Sequence, residues 1–549
     1  MFFHFHLIFL AVSVLPTALG STGPAVNTTS GFYIGVHDTQ NEVDVFLGLR
    51  FAQAPLARFT PATPVLKAPE VPHKAIAFGA DCPQLPTLME VVGVPLGPPL
   101  RGSNQSEDCF FVNVWRPAGT SAKDRLPILV SIFGGGYFSG SSSEWNATSL
   151  VRRSVATEKP MIFINFNYRT GVFGFIGSAQ APAIALNTGL QDQRDALRWI
   201  QNNAEAFGGD ASRITITGES AGGSSVHMHL VYPDFQRTFR AGISSSGNSL
   251  TLNTPACAWH DRPGGAYNIL GNITNCGIGP GSFECLQNIP FDTFLPLALT
   301  TYSPPGGAAP PWGPCKGPQG SLIDEYPAKK VIDGDFLSVP IVAGTNLNEG
   351  NYFVGTTFID ITPQPSPDEA NSILSSFIGS QATNFKNVSQ GTLDKLVDLY
   401  AHPTDNLSNS SLSNRAAQFL TDYEFLAPNR LFLDIASARK QDVWAYSFQQ
   451  PLAGFPDFLG AFHSADLYYL DIGFSFVPTG QLVSQLQDFY ISFTNDLIPG
   501  SDWPKYSKTS KIAMRFLEGE VGPIADTYRR NQTDFLNRVD TMEEFGRFG

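Results

Sequence analysis

The chain has 549 residues, of which 42% are hydrophobic, and it carries a formal net charge of -13 at pH 7. This length and hydrophobic content suffice for a large core. The net charge is negative and the sequence has no long run of Lys or Arg, which argues against nucleic acid as a partner. Only 15% of the residues are charged, and 51 glycines with 41 prolines predict long loops on a globular scaffold.

The first 20 residues have the pattern of a secretory signal peptide. An apolar stretch covers residues 5–15, Pro16 interrupts it, and the small residues Ala18 and Gly20 follow. The stretch is shorter than the ~20 apolar residues that a membrane anchor needs. We therefore expect cleavage after Gly20 and a mature chain that is extracellular or stays in the cell wall or a vacuole.

Cysteines and glycosylation sequons agree with export. The cysteines are even in number and form no Cys-x-x-Cys pair, so their pattern favours disulfides over a metal site. We expect neither a metal nor another cofactor. Six cysteines allow fifteen pairings, so spacing alone leaves their connectivity open. The cysteines are Cys82, Cys109, Cys257, Cys276, Cys285 and Cys315. The sequon asparagines are Asn27, Asn104, Asn146, Asn272, Asn387, Asn406, Asn409 and Asn531.

Short apolar, β-branched runs that lie far apart predict the strands of a largely parallel sheet. The runs cover residues 128–133, 161–168, 214–217, 242–245, 339–343 and 443–448. Between the second and third runs, residues 190–207 have apolar residues near helical spacing and are followed by Gly208 and Gly209, which predicts a strand–helix–strand unit. The stretches 82–109 and 250–335 are rich in Pro and Gly, so we expect them to leave the sheet as long excursions.

A motif for a nucleophilic serine follows the third run. Gly-Glu-Ser-Ala-Gly at 218–222 matches G-x-S-x-G, the run before it reads as a strand, and residues 223–230 can begin a helix. A serine on such a tight turn takes strained backbone angles that small neighbours permit, and the helix N-terminus favours negative charge beside it. We therefore predict Ser220 as a nucleophile.

A serine nucleophile needs a base, and a histidine that follows both the serine and a carboxylate in the chain is expected to supply it. His463 lies in a small-residue loop after the run 443–448, which favours it as the base. The alternative is His402, which lies in a polar turn.

A carboxylate must orient the histidine, and it is expected between the serine and the histidine in the chain. Glu349 is the only acidic side chain in residues 344–350, the loop that leaves the run 339–343. Active-site groups gather at such strand ends. We therefore predict Glu349 as the acid.

Small residues near the serine predict a site for a developing oxyanion. Gly134, Gly135 and Gly136 follow the run 128–133 and can bring backbone N–H groups close, together with the amide of Ala221. The alternative, a nucleotide-binding loop, lacks both G-x-G-x-x-G and the Gly-Lys-Ser/Thr ending. The glycines therefore favour acyl transfer.

Further motifs occur in a fixed order along the chain. They are Phe-Leu-Gly-Leu-Arg-Phe-Ala-Gln at 46–53, Glu-Asp-Cys-Phe-Phe-Val-Asn-Val-Trp-Arg-Pro at 107–117, Phe-Gly-Gly-Gly-Tyr at 133–137, Asn-Tyr-Arg at 167–169, Phe-Gly-Gly-Asp at 207–210 and the serine motif. From about residue 31 to 506 the chain resembles the type-B carboxylesterase family, which includes cholinesterases, fungal lipases of the Candida rugosa type and bile-salt-activated lipases. The resemblance implies an α/β-hydrolase fold, with a large, mostly parallel sheet flanked by helices, and we expect residues 21–549 to form one domain.

The resemblance also assigns roles to individual residues. It implies a catalytic triad of Ser220, Glu349 and His463 and an oxyanion hole of Gly135, Gly136 and Ala221, with Ser246 and Glu219 as supporting residues. It further implies the disulfides Cys82–Cys109 and Cys276–Cys285, which leaves Cys257 with Cys315. The expected activity is a secreted serine carboxylic ester hydrolase.

The stretch 82–109 leaves the class of ester open. It contains no Trp, so the aromatic platform with which cholinesterases bind quaternary ammonium is missing from it, and it is apolar through Leu85, Leu88, Met89, Val91, Val92, Val94 and Leu96. It is either a lid or gorge wall that faces acyl chains, or a loop packed permanently on the body.

The alternatives to a general esterase are a true triacylglycerol lipase that works at a lipid interface, an esterase of a fungal natural-product pathway, and a non-catalytic cholinesterase-like adhesion protein. The filled catalytic positions argue against the last.

Overall fold

An 11-stranded β-sheet forms the centre of the computed structural model. The structure describes residues 23–65, 71–84, 104–302, 312–354, 365–404, 407, 411–472 and 478–549. The strands are β1 (Ala25–Thr28), β2 (Gly31–Ile34), β3 (Val36–Asp38), β4 (Val43–Arg50), β5 (Ala52–Gln53), β6 (Thr63–Pro64), β7 (His73–Lys74), β8 (Phe111–Pro117), β9 (Leu126–Ile132), β10 (Ile162–Phe166), β11 (Gly209–Glu219), β12 (Ala241–Ser245), β13 (Ile341–Asn346), β14 (Val443–Phe448), β15 (Ile512–Phe516) and β16 (Gly522–Ala525). Their order in the large sheet is β16-β15-β14-β13-β12-β11-β9-β10-β8-β4-β3.

The middle of this sheet is parallel and its two edges are antiparallel. Every neighbouring pair from β10 through β9, β11, β12, β13 and β14 to β15 is parallel. The pairs β3–β4, β4–β8, β8–β10 and β15–β16 are antiparallel. All residues of β10, β12 and β13 are buried, which explains why these strands, apart from Asn165 and Asn346, consist of apolar or small residues instead of alternating with polar ones. The predicted mostly parallel sheet is confirmed.

Helices cover both faces of the sheet. They are α1 (Thr148–Ala156), α2 (Gly171–Phe175), α3 (Thr188–Asn203), α4 (Ala221–Val231), α5 (Ala266–Ile273), α6 (Ser282–Asn288), α7 (Phe291–Leu299), α8 (Pro327–Asp333), α9 (Glu349–Val354), α10 (Pro367–Ser380), α11 (Gln390–Leu399), α12 (Ser411–Leu420), α13 (Ala427–Ala438), α14 (Ala465–Leu470), α15 (Gln481–Asp496), α16 (Arg530–Leu536) and α17 (Val539–Glu544). A π-helix, Thr421–Leu426, lies between α12 and α13. No helix within the described ranges is long and apolar enough to cross a membrane.

The predicted helix at 190–207 corresponds to α3 and a following 3₁₀ turn, Ala204–Phe207. Gly208 ends this turn in the left-handed conformation, with a φ of 84°, as the glycine pair predicts. The stretch 250–335 leaves the sheet but carries the short helices α5 to α8. The apolar side chains of α5, α6 and α7 pack into a cluster of their own that includes Phe283, Leu286 and Phe294, whereas α8 packs on the main core.

Three disulfides fasten the excursions. They join Cys82 to Cys109, Cys257 to Cys315 and Cys276 to Cys285, the pairings that the family resemblance implies. The signal peptide at 1–20, the apolar side chains at 85–96 and the sequons at Asn406 and Asn409 lie outside the described residues. The other six sequon asparagines are all exposed.

Candidate active site

Ser220 lies on a sharp turn between β11 and α4. Its backbone has a φ of 57° and a ψ of -123°, a strained conformation for a residue with a side chain. A Cβ on Gly218 would lie 2.3 Å from the carbonyl carbon of Gly222, and a Cβ on Gly222 would lie 2.1 Å from the oxygen of Ile132. The turn therefore closes only because both flanking residues of the motif are glycines.

The end of β12 supports this turn from one side. Ser220 donates its backbone N–H to the oxygen of Ser245 at 2.9 Å, and Ser246 donates its own to the oxygen of Gly344 at 2.8 Å. Ser246 is buried, has a φ of 49°, and its hydroxyl has no hydrogen-bond partner among the described residues. Ser246 thus lies directly after β12, the strand adjacent to β11, next to the turn that carries Ser220.

Glu349 and His463 meet at the ends of β13 and β14. Glu349 is the first residue of α9 instead of a loop residue, and it is fully buried. One of its oxygens accepts the backbone N–H of Asn346 at 2.7 Å, and the other lies 2.7 Å from Nδ1 of His463. A proton on Nδ1 leaves Nε2 of His463 free to act as a base. His402, the alternative, is exposed.

Glu219 lies on the other side of the imidazole. Its Oε1 is 3.3 Å from Nε2 of His463 and accepts a hydrogen bond from the hydroxyl of Ser464 at 2.6 Å. Burial raises the pKa of Glu219 to about 7. Burial alone would lower the pKa of His463, but the carboxylates of Glu219 and Glu349 stabilise the imidazolium and raise that pKa to about 9.

The glycine loop after β9 approaches the nucleophile closely. A Cβ on Gly134 would lie 3.2 Å from the Cβ of Ser220, and Gly135 and Gly136 have φ values of 88° and 61°. Within the described part of the chain, the N–H groups of Gly135 and Gly136 donate no hydrogen bond, so they are available to an oxyanion. The amide of Ala221 begins α4 directly after Ser220.

Aromatic rings form a wall beside the imidazole. The ring centroids of Phe425, Phe353 and Tyr352 lie 4.9, 5.0 and 6.3 Å from that of His463. Phe353 is 41% exposed, so this wall is open to solvent. Phe425 belongs to the π-helix, and sequence reasoning missed it because nothing local to residues 421–426 links them to His463.

Sequence reasoning also missed two polar residues that hold the site together. Asn346 donates its side-chain amide to the oxygen of Phe462 at 2.7 Å, which ties the acid loop to the histidine loop. Ser464 has a φ of 70° and directs its hydroxyl at Glu219. The only available signal was their position directly after a predicted strand or beside a predicted catalytic residue.

The disulfide-closed loop is fastened to the glycine loop at its base. The side chain of Gln84 donates to the oxygen of Gly140 at 2.9 Å and accepts the N–H of Gly140 at 2.7 Å. Residues 85–103, which contain the apolar part of this loop, lie outside the described residues.

Known proteins resemble this chain in sequence and in fold. The model of a family described as "Carboxylesterase family" matches residues 22–536. The chain is 30% identical to "Secreted lipase 1" of Botryotinia fuckeliana, over 90% of this chain and 89% of that one, and 30% identical to "Lipase 4" of Diutina rugosa, over 93% of each. The crystal structure of Aspergillus niger EstA superposes with a TM-score of 0.79 at 23% identity, covering 95% of this chain and 99% of that one. This last likeness shows the fold.

Proposed function

Because the chain belongs to the carboxylesterase family, we propose that it is a serine carboxylic ester hydrolase whose nucleophile is Ser220. The observation that carries the proposal is the hydrogen bond between Nδ1 of His463 and Glu349 at 2.7 Å, since a histidine held in this way can accept a proton on Nε2. His463 removes the proton of Ser220 as the serine attacks the ester carbonyl. His463 then returns the proton to the departing alcohol, leaving an acyl-enzyme.

The amides of Gly135, Gly136 and Ala221 stabilise the negative charge that develops on the carbonyl oxygen during the attack. Water then repeats the cycle on the acyl-enzyme, again with His463 as base, and releases the acid. Ser246 and Glu219 support the triad. The strain at Ser220 favours this role, because an unfavourable backbone conformation is retained where it exposes a reacting hydroxyl.

Replacing the nucleophile tests the proposal. Ser220→Ala is expected to abolish both the hydrolysis of p-nitrophenyl esters and covalent labelling by a fluorophosphonate. Glu349→Gln and His463→Ala should lower kcat by at least about a thousandfold, because the triad acts as a unit. His402→Ala is the matched control and should leave the rate unchanged. Hydrolysis by the Ser220→Ala protein would disprove the assignment, and absence of labelling in the wild type would favour a non-catalytic adhesion protein.

Lipase activity on triacylglycerols is the second candidate, and it is favoured by the lipase names of the similar proteins and by the apolar sequence at 85–96. Rates on esters of increasing acyl length, measured with and without an emulsion, separate the two. A rise in rate when the emulsion forms supports a lipase with a lid at 82–109. Saturation on dissolved short-chain esters without such a rise supports a soluble esterase.

We also propose that the protein is exported and glycosylated. The sequence pattern at 1–20 and the exposure of the six described sequon asparagines support this location. Expression in a eukaryotic secretory host should yield a protein that lacks residues 1–20 and loses mass on treatment with an N-glycosidase. Retention of the uncleaved chain inside the cell would contradict the proposal.

A further inference from the structure

Ser464 directly precedes α14 in a backbone conformation that is unfavourable for any residue with a side chain. Its φ is 70° and its ψ is 6°, in the left-handed region. Glycine adopts this conformation without strain, so the feature that serine adds at this position is its hydroxyl. Strained residues occur most often at functional sites, where other interactions hold them in place.

The hydroxyl of Ser464 makes no hydrogen bond to the helix that follows it. A serine directly before a helix usually accepts a backbone N–H of the first turn with its side chain, but Ser464 makes no such hydrogen bond. It donates instead to Oε1 of Glu219 at 2.6 Å, in a contact between residues 245 positions apart in the chain. The hydroxyl therefore acts on Glu219 and not on the stability of α14.

This hydrogen bond fixes the orientation of the Glu219 carboxyl group. Oε1, the oxygen that accepts it, is also the oxygen that lies 3.3 Å from Nε2 of His463. Oε2 faces the glycine loop, since a Cβ on Gly134 would lie 3.1 Å from it. In the described part of the chain, Ser464 and His463 are the two side chains that contact this carboxyl by a hydrogen bond or an ion pair.

The hydroxyl also favours the ionised form of Glu219. Burial raises the pKa of Glu219, whereas the hydrogen bond from Ser464 lowers it, because a donor stabilises a carboxylate and not a protonated carboxyl. Glu219 and His463 titrate as a coupled pair. Without the donor, a neutral carboxyl beside a neutral imidazole becomes more favourable relative to the ion pair of carboxylate and imidazolium.

Other ionisable groups act on the same pair, and none of them replaces the donor. They are Glu349 and Tyr352 of α9, Asp466 of α14, Glu424 of the π-helix and Tyr490 of α15. Burial raises the pKa of both tyrosines, so they stay neutral in the range where His463 titrates. A substitution of Ser464 leaves all of these groups in the protein and removes only the hydrogen bond to Glu219.

We propose that Ser464 is a positioning residue that holds Glu219 ionised against the imidazole of His463 and so determines the pH at which His463 becomes a base. This inference rests on the proposed ester hydrolysis at Ser220. Ser464 acts through Glu219, since its hydroxyl and Nε2 of His463 contact the same oxygen of that carboxyl group.

Two substitutions of Ser464 separate its hydroxyl from its backbone strain. Ser464→Gly removes the hydroxyl and relieves the strain, whereas Ser464→Ala removes the hydroxyl and keeps the strain. The imidazole must be neutral to act as base, so kcat/KM for a neutral p-nitrophenyl ester rises with pH. In both variants the midpoint of this rise should move to lower pH by roughly one unit, because a hydrogen bond to a charged group changes an equilibrium about tenfold.

The midpoint is read from each profile relative to its own plateau, so it does not depend on how much enzyme is folded. Ser366→Gly is the matched control. Ser366 is an exposed serine whose hydroxyl accepts the backbone N–H of Glu369 at the start of α10, so its loss affects a helix end and should leave the midpoint unchanged.

A double variant tests whether Ser464 acts through Glu219. Adding Ser464→Gly to Glu219→Gln should move the midpoint no further, because the carboxylate that the hydroxyl stabilises is already absent. An unchanged midpoint in Ser464→Gly, or an equal shift in the Glu219→Gln background, overturns the inference while leaving ester hydrolysis intact. A shift in Ser464→Ala alone also overturns it, since strain would then be the cause. Failure of the proposed function has a different signature, which is hydrolysis of the ester by the Ser220→Ala protein.

Discussion

Glu219 brings a second carboxylate to the imidazole that Glu349 already holds. Its Oε1 lies 3.3 Å from Nε2 of His463, the nitrogen proposed as the base. A negative charge there stabilises the imidazolium that forms during ester cleavage, but it also keeps the free enzyme protonated over a wider pH range, since the pKa of His463 is about 9. Glu219 thus stabilises the imidazolium of His463, and as a consequence less of the imidazole is neutral and able to act as a base at neutral pH.

Glu219→Gln should therefore move the acidic limb of the kcat/KM profile to lower pH. The imidazole must be neutral to act as base, so activity rises as pH increases through the pKa of His463, and loss of the neighbouring charge lowers that pKa. The measurement is kcat/KM for a neutral p-nitrophenyl ester as a function of pH in both proteins. An unchanged limb, or a shift to higher pH, would contradict the electrostatic role.

Candidate catalytic residues could be proposed from the sequence where their signal is local. Ser220 was predicted because its neighbours must be glycines for the turn to close, and the close approaches of Gly218 and Gly222 supply the physical reason. Asn346 and Ser464 were not, because their significance depends on contacts between segments that are distant in the chain.

The π-helix Thr421–Leu426 is anchored on the side away from the imidazole. Asp422 and Arg529 form an ion pair at 2.8 Å in which both side chains are almost fully buried, and the hydroxyl of Tyr400 donates to Asp422 at 2.8 Å. Thr421 accepts the N–H of Gly350 at 2.9 Å, directly after Glu349. This element therefore connects Glu349, the proposed acid of the triad, to the aromatic wall.

Asp422→Asn should lower the free energy of unfolding by about 3 kcal/mol, because it leaves the buried guanidinium of Arg529 without its counter-charge. The control is Asp333→Asn, which breaks an exposed pair with Lys329 and should cost less than about 0.5 kcal/mol. Denaturant unfolding of both variants and the wild type measures the difference. Equal losses would show that the buried pair is not what anchors the π-helix.

Sequence periodicity could not predict this element. Residues 411–438 form one nearly continuous helical segment, and the π-helical turn changes its direction only locally. Long regular helices were easier to predict from the sequence. The helix α3, for example, has an amphipathic pattern and is followed by a glycine that ends the helical segment, and both features can be recognised without knowledge of tertiary contacts.

At the scale of the whole molecule, the parallel centre of the sheet was predicted and its antiparallel edges were not. The buried central strands, such as β13 and β14, are short apolar runs that stand out from their surroundings. The strands β4 and β8, in the antiparallel part of the sheet, mix charged and apolar residues, and their pairing is interrupted by an irregularity between Phe46 and Leu49. Periodicity over a few residues carries less information there.

The disulfides are expected to contribute unequally to the stability of the molecule. Cys257 and Cys315 are buried and 58 positions apart, whereas Cys276 and Cys285 are only 9 apart. Replacing the first pair by alanines should cost about 4 kcal/mol and the second about 2.5 kcal/mol, because a longer closed loop restricts the unfolded chain more. Denaturant unfolding without reductant measures both. A larger loss for the short loop would contradict the entropic explanation.

The sheet ends in two strands of three and four residues, β3 and β16, although the strands at its centre are buried and largely apolar. β16 contains an exposed proline, Pro523, which has no N–H to offer a further strand. Short strands and proline at an edge prevent another chain from extending a sheet by hydrogen bonding. The fold therefore protects itself against edge-to-edge aggregation, because neither edge of its 11-stranded sheet offers another chain a long strand to pair with.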